Sequence, residues 1–334
     1  MRMLVAIFLM FSGSAGAGRL PRRGHVAPQP QPTFDPAVVN NPATMDNATL
    51  HTSGSAVLRA QILMDRAHFS VGEIDGYFGD DMENSVKAYQ AAHKIMPADG
   101  TLSPDTWKAL DADTAPAIVP YTISATDIAG PFYKIPAGMM QQAKLPALGF
   151  TSVEEELGER FHSSPKLLAR LNQGKDLRKP GEQIMVPNVS RNPLPGPVAS
   201  VLVVKTCNCV ELVDSQNQVI AHYPATMGSL HDPLPIGDWK LEKPMWNPVF
   251  HYNPKLFWDA NSKDKKAEIK PGPNNPVGVV WIGLSKEHYG IHGTPDPGTI
   301  GKAQSHGCIR LTNWDATEVA SQVKPGMTAS LRAS

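Results

Sequence analysis

The sequence predicts a multidomain protein with a small all-α module toward the N-terminus, a small α+β module in the middle and a mainly β C-terminal domain. Three observations predict it. The 334 residues are too many for a single hydrophobic core and suggest two or three domains. Apolar residues recur with a helical period from about residue 52 to 111, then give way to short strand-like runs bounded by Pro and Gly. The 31 Pro and 27 Gly mark the linkers and loops between these regions. Lys+Arg and Asp+Glu both number 31, so no net field argues for nucleic acid as a partner.

The chain opens with Arg2, an apolar run from Leu4 to Phe11, and the small residues Ala15-Gly16-Ala17. This is the pattern of a secretory signal over residues 1–17, cleaved after Ala17. The run is shorter than the roughly 20 apolar residues needed to cross a bilayer. The expectation is therefore export to the periplasm or cell envelope, with no membrane span after signal cleavage. Residues 18–50 include PRRGHVAPQPQPTFDP and read as a Pro-rich linker, solvated and semi-extended.

Residues 51–113 carry three apolar faces: Val57, Leu58, Ile62 and Leu63; Met82, Val86 and Tyr89; Trp107 and Leu110. Asp75-Gly76 and Asp99-Gly100 supply tight turns before the second and third helices, and Ser103-Pro104 is an N-cap followed by Pro at the first helical position. The product is a compact three-helix module. The stretches IDGYFGDDMENSVKAYQAAHKI and DGTLSPDTWKAL resemble the bacterial peptidoglycan-binding three-helix family, and that resemblance implies wall targeting.

Across residues 118–190 the order is strand (YTIS), helix (Val153 to Phe161), helix (Pro165 to Leu171, started by Ser164-Pro165), then strand (GEQIMVPN). That order, with LARLNQGKDLRKPGEQIMVPN, resembles a degenerate lysin motif, which implies contact with glycan; a plain spacer domain is the alternative. The match departs from the family through extra residues between Tyr121 and Val153. RNPLPGP, from Arg191, is a linker.

Residues 198–333 form the third domain, with strand-like runs at Val201–Val204, Val219–Tyr223 and Val279–Leu284 and one late helix at Asn313–Gln322. Three cysteines are too few for a disulfide scaffold. Cys207 and Cys209 fall on one face of an alternating run and read as small buried or half-buried side chains; a metal or redox pair is the alternative, but two ligands do not close a zinc site. Cys308 is left alone, an unpaired thiol in an oxidising compartment.

Cys308 lies in YGIHGTPDPGTIGKAQSHGCIRLTN with His292, Ser305, His306 and Arg310. A turn-rich gap can fold His292 back onto the sulfur, and an imidazole that takes the thiol proton can return one to a leaving amine. The Gly293 carbonyl could accept from the far ring nitrogen and fix the tautomer. The N–H groups of Gly307 and Cys308 could receive an oxyanion. Arg310 could brace the loop or fork onto a substrate carboxylate, and Ser305 could hold the loop by its hydroxyl. Spacing alone does not choose between His292 and His306 as the base. Trp239, Trp246, Trp281 and Tyr289 could line a groove or fill the core, and His222, His231, His251 and His288 read as surface or core.

The motif HG…SHGCIRL, preceded by PIGDW and NNPVGVVWIGL, resembles the L,D-transpeptidase catalytic domain over roughly Ser200 to Leu331. The resemblance implies Cys308 as nucleophile, His292 as general base and acid, an oxyanion site shaped by the SHGC backbone, and His306 as a pocket residue; Ser305 and Arg310 are expected beside it on the substrate side. It implies no metal and no cofactor, a partner in peptidoglycan stem peptides and glycan, and carbapenem β-lactams as covalent inhibitors. The implied function is cell-wall crosslinking through a cysteine thioester formed on stem tetrapeptides. The alternatives are an L,D-carboxypeptidase, a protein-anchoring variant, or a non-catalytic peptidoglycan-binding protein. A zinc peptidase finds no H-E-x-x-H in the sequence.

Overall fold

The computed structural model describes residues 34–46 and 48–334. The expected signal segment and residues 18–33 of the expected linker lie outside the described residues. The remainder of that linker is a correction. Phe34, Val39 and Ala48 are buried in the helical core, and α1 (Pro36–Val39) is capped by the Asp35 carboxylate, which accepts from the Ala37 N–H. Apolar side chains at these three positions find a ready-made cleft, so the segment packs where its Pro content suggested a tether. The Phe34 ring lies over Gly76, where a Cβ would sit 2.3 Å from it.

The helical module consists of α2 (Ser55–Arg66), α3 (Asp80–Ala92) and α4 (Pro104–Leu110). Every residue of its three expected apolar faces is buried. Gly76 and Gly100, with φ of 76° and 83°, make the two Asp-Gly turns, and the Ser103 hydroxyl accepts from the Thr106 N–H to start α4.

The middle module runs β1 (Ile118–Thr122), α5 (Met139–Gln142), α6 (Val153–Arg160), α7 (Pro165–Leu171) and β2 (Gln183–Pro187). Ser152 and Ser164 cap α6 and α7, and β1 pairs antiparallel with β2 from Ile118↔Pro187 to Thr122↔Gln183. The extra residues before α6 have a partner. Leu148 packs with Tyr252 and Ile269 of the C-terminal domain, donates to Pro271 O and accepts from the Asn274 N–H, both at 2.9 Å.

The C-terminal domain contains β3 (Ser200–Val204), β4 (Cys209–Val213), β5 (Val219–Pro224), β6 (Thr226–Met227), β7 (Gly237–Lys240), β8 (Met245–Trp246), β9 (Phe250–Tyr252), β10 (Ala267–Ile269), β11 (Val280–Gly283), β12 (Gly290–His292), β13 (Ile309–Arg310), α8 (Asn313–Gln322) and β14 (Thr328–Arg332). One five-stranded sheet has the order β5-β4-β3-β14-β7, the other β6-β13-β12-β11-β8, and β9 pairs with β10. Val201, Val203, Val210, Leu212, Val280, Ile282, Ile291, Ile309 and Leu331 share one core with the inner face of α8. Cys207 and Cys209 are joined as a disulfide, because the turn between β3 and β4 brings their Cα atoms to 5.3 Å. Among the described residues no helix is long and apolar enough to cross a membrane.

A buried charge network ties the three parts together. Arg191, read as linker, reaches Asp65 of α2 at 2.5 Å and Asp315 of α8 at 3.5 Å, and also pairs with Glu318. His68 donates to Glu318 at 2.5 Å, Ser70 donates to Asp315 at 2.8 Å, and His162 pairs with Asp65 while stacking on Trp314 with centroids 5.1 Å apart. Burial alone would raise the Asp65 carboxyl, but Arg191 and His162 outweigh it and hold that group well below the usual carboxylate range. The folded value lies below the unfolded one, so this pairing contributes fully above an unfolded value of 3.8 and is lost as pH falls toward the folded value. Arg191→Met leaves buried carboxylates without their cation. It should cost about 3–5 kcal/mol of stability at neutral pH, seen as a lower midpoint in denaturant unfolding, whereas an unchanged midpoint would show that the network does not hold the modules.

Candidate active site

The site is built inside the five-stranded sheet where β12 runs parallel to β13, with Ile291 beside Ile309 and His292 beside Arg310. Registered residues on neighbouring strands project to the same face, and so do residues two apart on one strand. Cys308, two residues before Arg310 at the entrance to β13, therefore shares a face with Arg310 and His292. The thiol donates to His288 O at 3.6 Å, and the backbone N–H of Gly290 faces the sulfur.

His292 is buried, and its Nδ1 lies 2.7 Å from Gly293 O. A carbonyl only accepts, so Nδ1 carries the proton and Nε2 keeps its lone pair. The ring is stacked on Trp281, with centroids 5.4 Å apart and planes 21° apart. Burial, then the nearby Arg310 cation, pushes the imidazole down to about 3. Burial pushes the Cys308 thiol up to about 11, against the opposing pull of the Gly290 N–H and Arg310. At neutral pH the thiol and the imidazole are both uncharged. A neutral thiol next to a neutral base becomes a nucleophile only as the proton moves during attack.

The remaining residues singled out by sequence fall around this pair. Gly307 has φ 96°, and a Cβ there would lie 2.5 Å from the Tyr289 ring, so only glycine fits the turn before Cys308. Ser305 is buried; its hydroxyl accepts from the Gly228 N–H and donates to Cys308 O, both at 2.6 Å. With its donor and one lone pair engaged between Gly228 and Cys308, its geometry suits bracing better than substrate contact. His306 donates from Nε2 to Asp259 at 2.8 Å and meets the Phe257 ring edge-on at 5.0 Å. Arg310 Nη1 reaches Gln304 O at 3.5 Å, while its buried Nε has no partner among the described residues.

Sequence reasoning missed Asn313. Its Oδ1 accepts from the Val279 N–H at 3.2 Å, and its amide donates to Glu159 Oε1 at 3.0 Å and Pro273 O at 3.2 Å. The same Oδ1 fills the space above Gly293 and Gly278, where added Cβ atoms would lie 2.2 and 2.1 Å from it. Asn313 thus holds the peptide whose carbonyl orients His292. The only signal was its place at the start of α8, immediately after Thr312, whose side chain accepts from the Asp315 N–H. Burial pushes its partner Glu159 up to about 8. The segment Phe257–Asp259 that pins His306 is packed from below by the residues inserted before α6, Phe257 sharing a cluster with Leu148.

Residues 199–330 match the family described as the L,D-transpeptidase catalytic domain, and residues 53–110 match the "Putative peptidoglycan binding domain". The "Putative L,D-transpeptidase YkuD" of Bacillus licheniformis is 30% identical over 181 residues, which cover 53% of this chain and 92% of that protein. The chain belongs to the L,D-transpeptidase family. The protein of the same name from Bacillus subtilis is 30% identical over 171 residues, 51% of this chain and 83% of the relative. In this transpeptidase the loop joining His292 to Cys308 rests on the helical module. Thr226 accepts from the Gly301 N–H at 2.9 Å, and Asp81 of α3 sits where a Gly301 Cβ would be, 2.1 Å away. A cavity of about 160 Å³ lies in the same seam, lined by Glu73, Asp75, Tyr77, Gly298 and Lys302.

Asn313→Ala removes the support of Gly293 without touching the thiol or the imidazole. A misplaced His292 should lower kcat by about 10²-fold with KM little changed; an unaltered kcat in the folded variant would show that Gly293 holds its place unaided.

Proposed function

We propose that this transpeptidase crosslinks the cell wall by two acyl transfers centred on Cys308. His292 Nε2 takes the Cys308 proton as the sulfur attacks the carbonyl of the L,D bond between diaminopimelate and the terminal D-alanine of a stem tetrapeptide. The N–H groups of Gly307 and Cys308 receive the negative charge on the carbonyl oxygen. His292 returns its proton to the departing amine, D-alanine leaves, and a thioester remains. The side-chain amine of a second diaminopimelate then attacks the thioester, which forms the new amide bond and frees the thiol. Water in its place would give a carboxypeptidase, and a protein lysine an anchoring enzyme.

The observation that carries this reading is the tautomer of His292. Nδ1 is committed to Gly293 O, so the free lone pair is on the nitrogen a base needs, and burial with Arg310 keeps that nitrogen unprotonated. His306, whose Nε2 donates to Asp259, keeps its own lone pair on an Nδ1 unpartnered among the described residues, so the comparison of the two histidine variants below decides between them. The half-buried Arg310 guanidinium, on the same face as Cys308, would meet a substrate carboxylate. The helical module, packed against the loop that carries Cys308, would hold the enzyme against an immobile polymer and raise the local concentration of stems. The lysin-motif-like module would add glycan contact, and a signal over residues 1–17 would deliver the protein to the periplasm.

A carbapenem is the probe of choice, because opening of its lactam ring by a thiolate leaves a stable adduct. The intact mass should rise by one drug molecule, the gain should vanish in Cys308→Ala, and His292→Ala should slow acylation more than His306→Ala. No adduct on the folded protein would refute the nucleophile, and the reverse order of the two histidine variants would move the base to His306.

A further inference from the structure

We propose that Cys207, Cys209, Glu211 and His222 form a binding site for one Zn(II) ion, opened when the Cys207–Cys209 disulfide is reduced. Strand alternation puts Cys209 and Glu211 on one face of β4, and the antiparallel register sets His222 of β5 directly opposite Glu211. One donor atom from each of Cys209, Glu211 and His222 lies within 4.8 Å of the other two. Tetrahedral zinc, with bonds of about 2.0–2.3 Å, needs its donors roughly 3.3–3.8 Å apart, so small side-chain movements close the site. Cys207, held to Cys209 by the disulfide, supplies the fourth donor and completes a set of two sulfurs, one nitrogen and one oxygen.

His222 is a second and separate pointer to a ligand. It is 1% exposed, its Nδ1 meets Glu211 at 3.2 Å, and its Nε2 has no partner among the described residues. A buried ring nitrogen left unserved costs free energy that a metal bond would recover. Cys207 is half-buried at the turn between β3 and β4, which gives reductant and ion a way in.

The chemistry balances with an external dithiol as reductant. Its two thiols pass two electrons and two protons to the Cys207–Cys209 bond and leave as a disulfide, giving two cysteine thiols. Zn(II) then displaces both thiol protons as it binds the two sulfurs. While the S–S bond stands the sulfurs are poor ligands, so occupancy reports the thiol state of the compartment. The site lies on the seam with the helical module: the His222 N–H donates to His68 O at 2.9 Å, His222 O accepts from the Ser70 N–H at 2.8 Å, and the Asn84 side chain donates to Cys207 O at 3.3 Å. A bound ion would therefore stiffen the contact between that module and the catalytic domain.

The test uses the full chain carrying Cys308→Ala, which removes the competing thiol. One sample stays oxidised; the other is reduced with a phosphine, the gain of two hydrogens is verified by intact mass, and both are titrated with Co(II) and then Zn(II). The reduced protein should take up one equivalent of Co(II) with a sulfur-to-cobalt charge-transfer band that Zn(II) abolishes, and the oxidised protein should take up none. His222→Gln, or Glu211→Gln should that variant fail to fold, should weaken binding by about tenfold or more. Equal uptake by the two samples, a band that survives in Cys207→Ser/Cys209→Ser, or a disulfide that yields to phosphine only on unfolding would overturn the proposal.

Discussion

The proposed chemistry of this molecule depends on the parallel pairing of β12 with β13. Those strands are three and two residues long, too short to hold a register alone, yet that register is what sets His292 beside Arg310 and brings Cys308 to the same face. Parallel neighbours cannot be joined by a tight hairpin, so the chain between His292 and Cys308 leaves the sheet, crosses the helical module and returns. The pairing is held from its flanks: β11 and β6 on either side, Asn313 beneath Gly293, Ser305 across the turn, and the core residues Ile291 and Ile309.

Burial then decides the electrostatics. Burying His292 and half-burying Cys308 disfavours charge on either, and Arg310 acts on both in one sense, easing the thiolate and opposing the imidazolium. The resting state is thus uncharged. A thiol that is reluctant to ionise unaided is protected from oxidants and gains reactivity only when a base takes its proton.

Local signals were legible and distant ones were not. Ser103-Pro104 and Ser164-Pro165 announced α4 and α7, the late helix runs from Asn313 to Gln322 as its sequence suggested, and the three apolar faces of the helical module are all buried. Each of those features is decided within a few residues. Arg191 is different: its partners at 65, 315 and 318 are chosen by tertiary packing, and in sequence it sits in a Pro-rich connector. Phe34 and Val39 were obscured in the same way by surrounding prolines, and Asn313 by lacking any local pattern of its own. The disulfide was hidden because alternation says which face two cysteines share and not whether the turn between strands lets their sulfurs meet.

The packing also changes what the accessory modules are. The inserted residues before α6 support the segment that pins His306, and α3 supports the loop that carries Cys308. The modules are parts of the active site's frame as well as candidates for holding the wall. The most direct measurement of the central claim is mass analysis of muropeptides after purified murein is incubated with the full-length protein. The account predicts loss of D-alanine from tetrapeptide stems together with new dimers whose mass equals two stems less one D-alanine and joined through their diaminopimelates, all absent with Cys308→Ala. Trimmed stems without dimers would contradict crosslinking, and unchanged stems from a folded protein would contradict acyl transfer by Cys308 altogether.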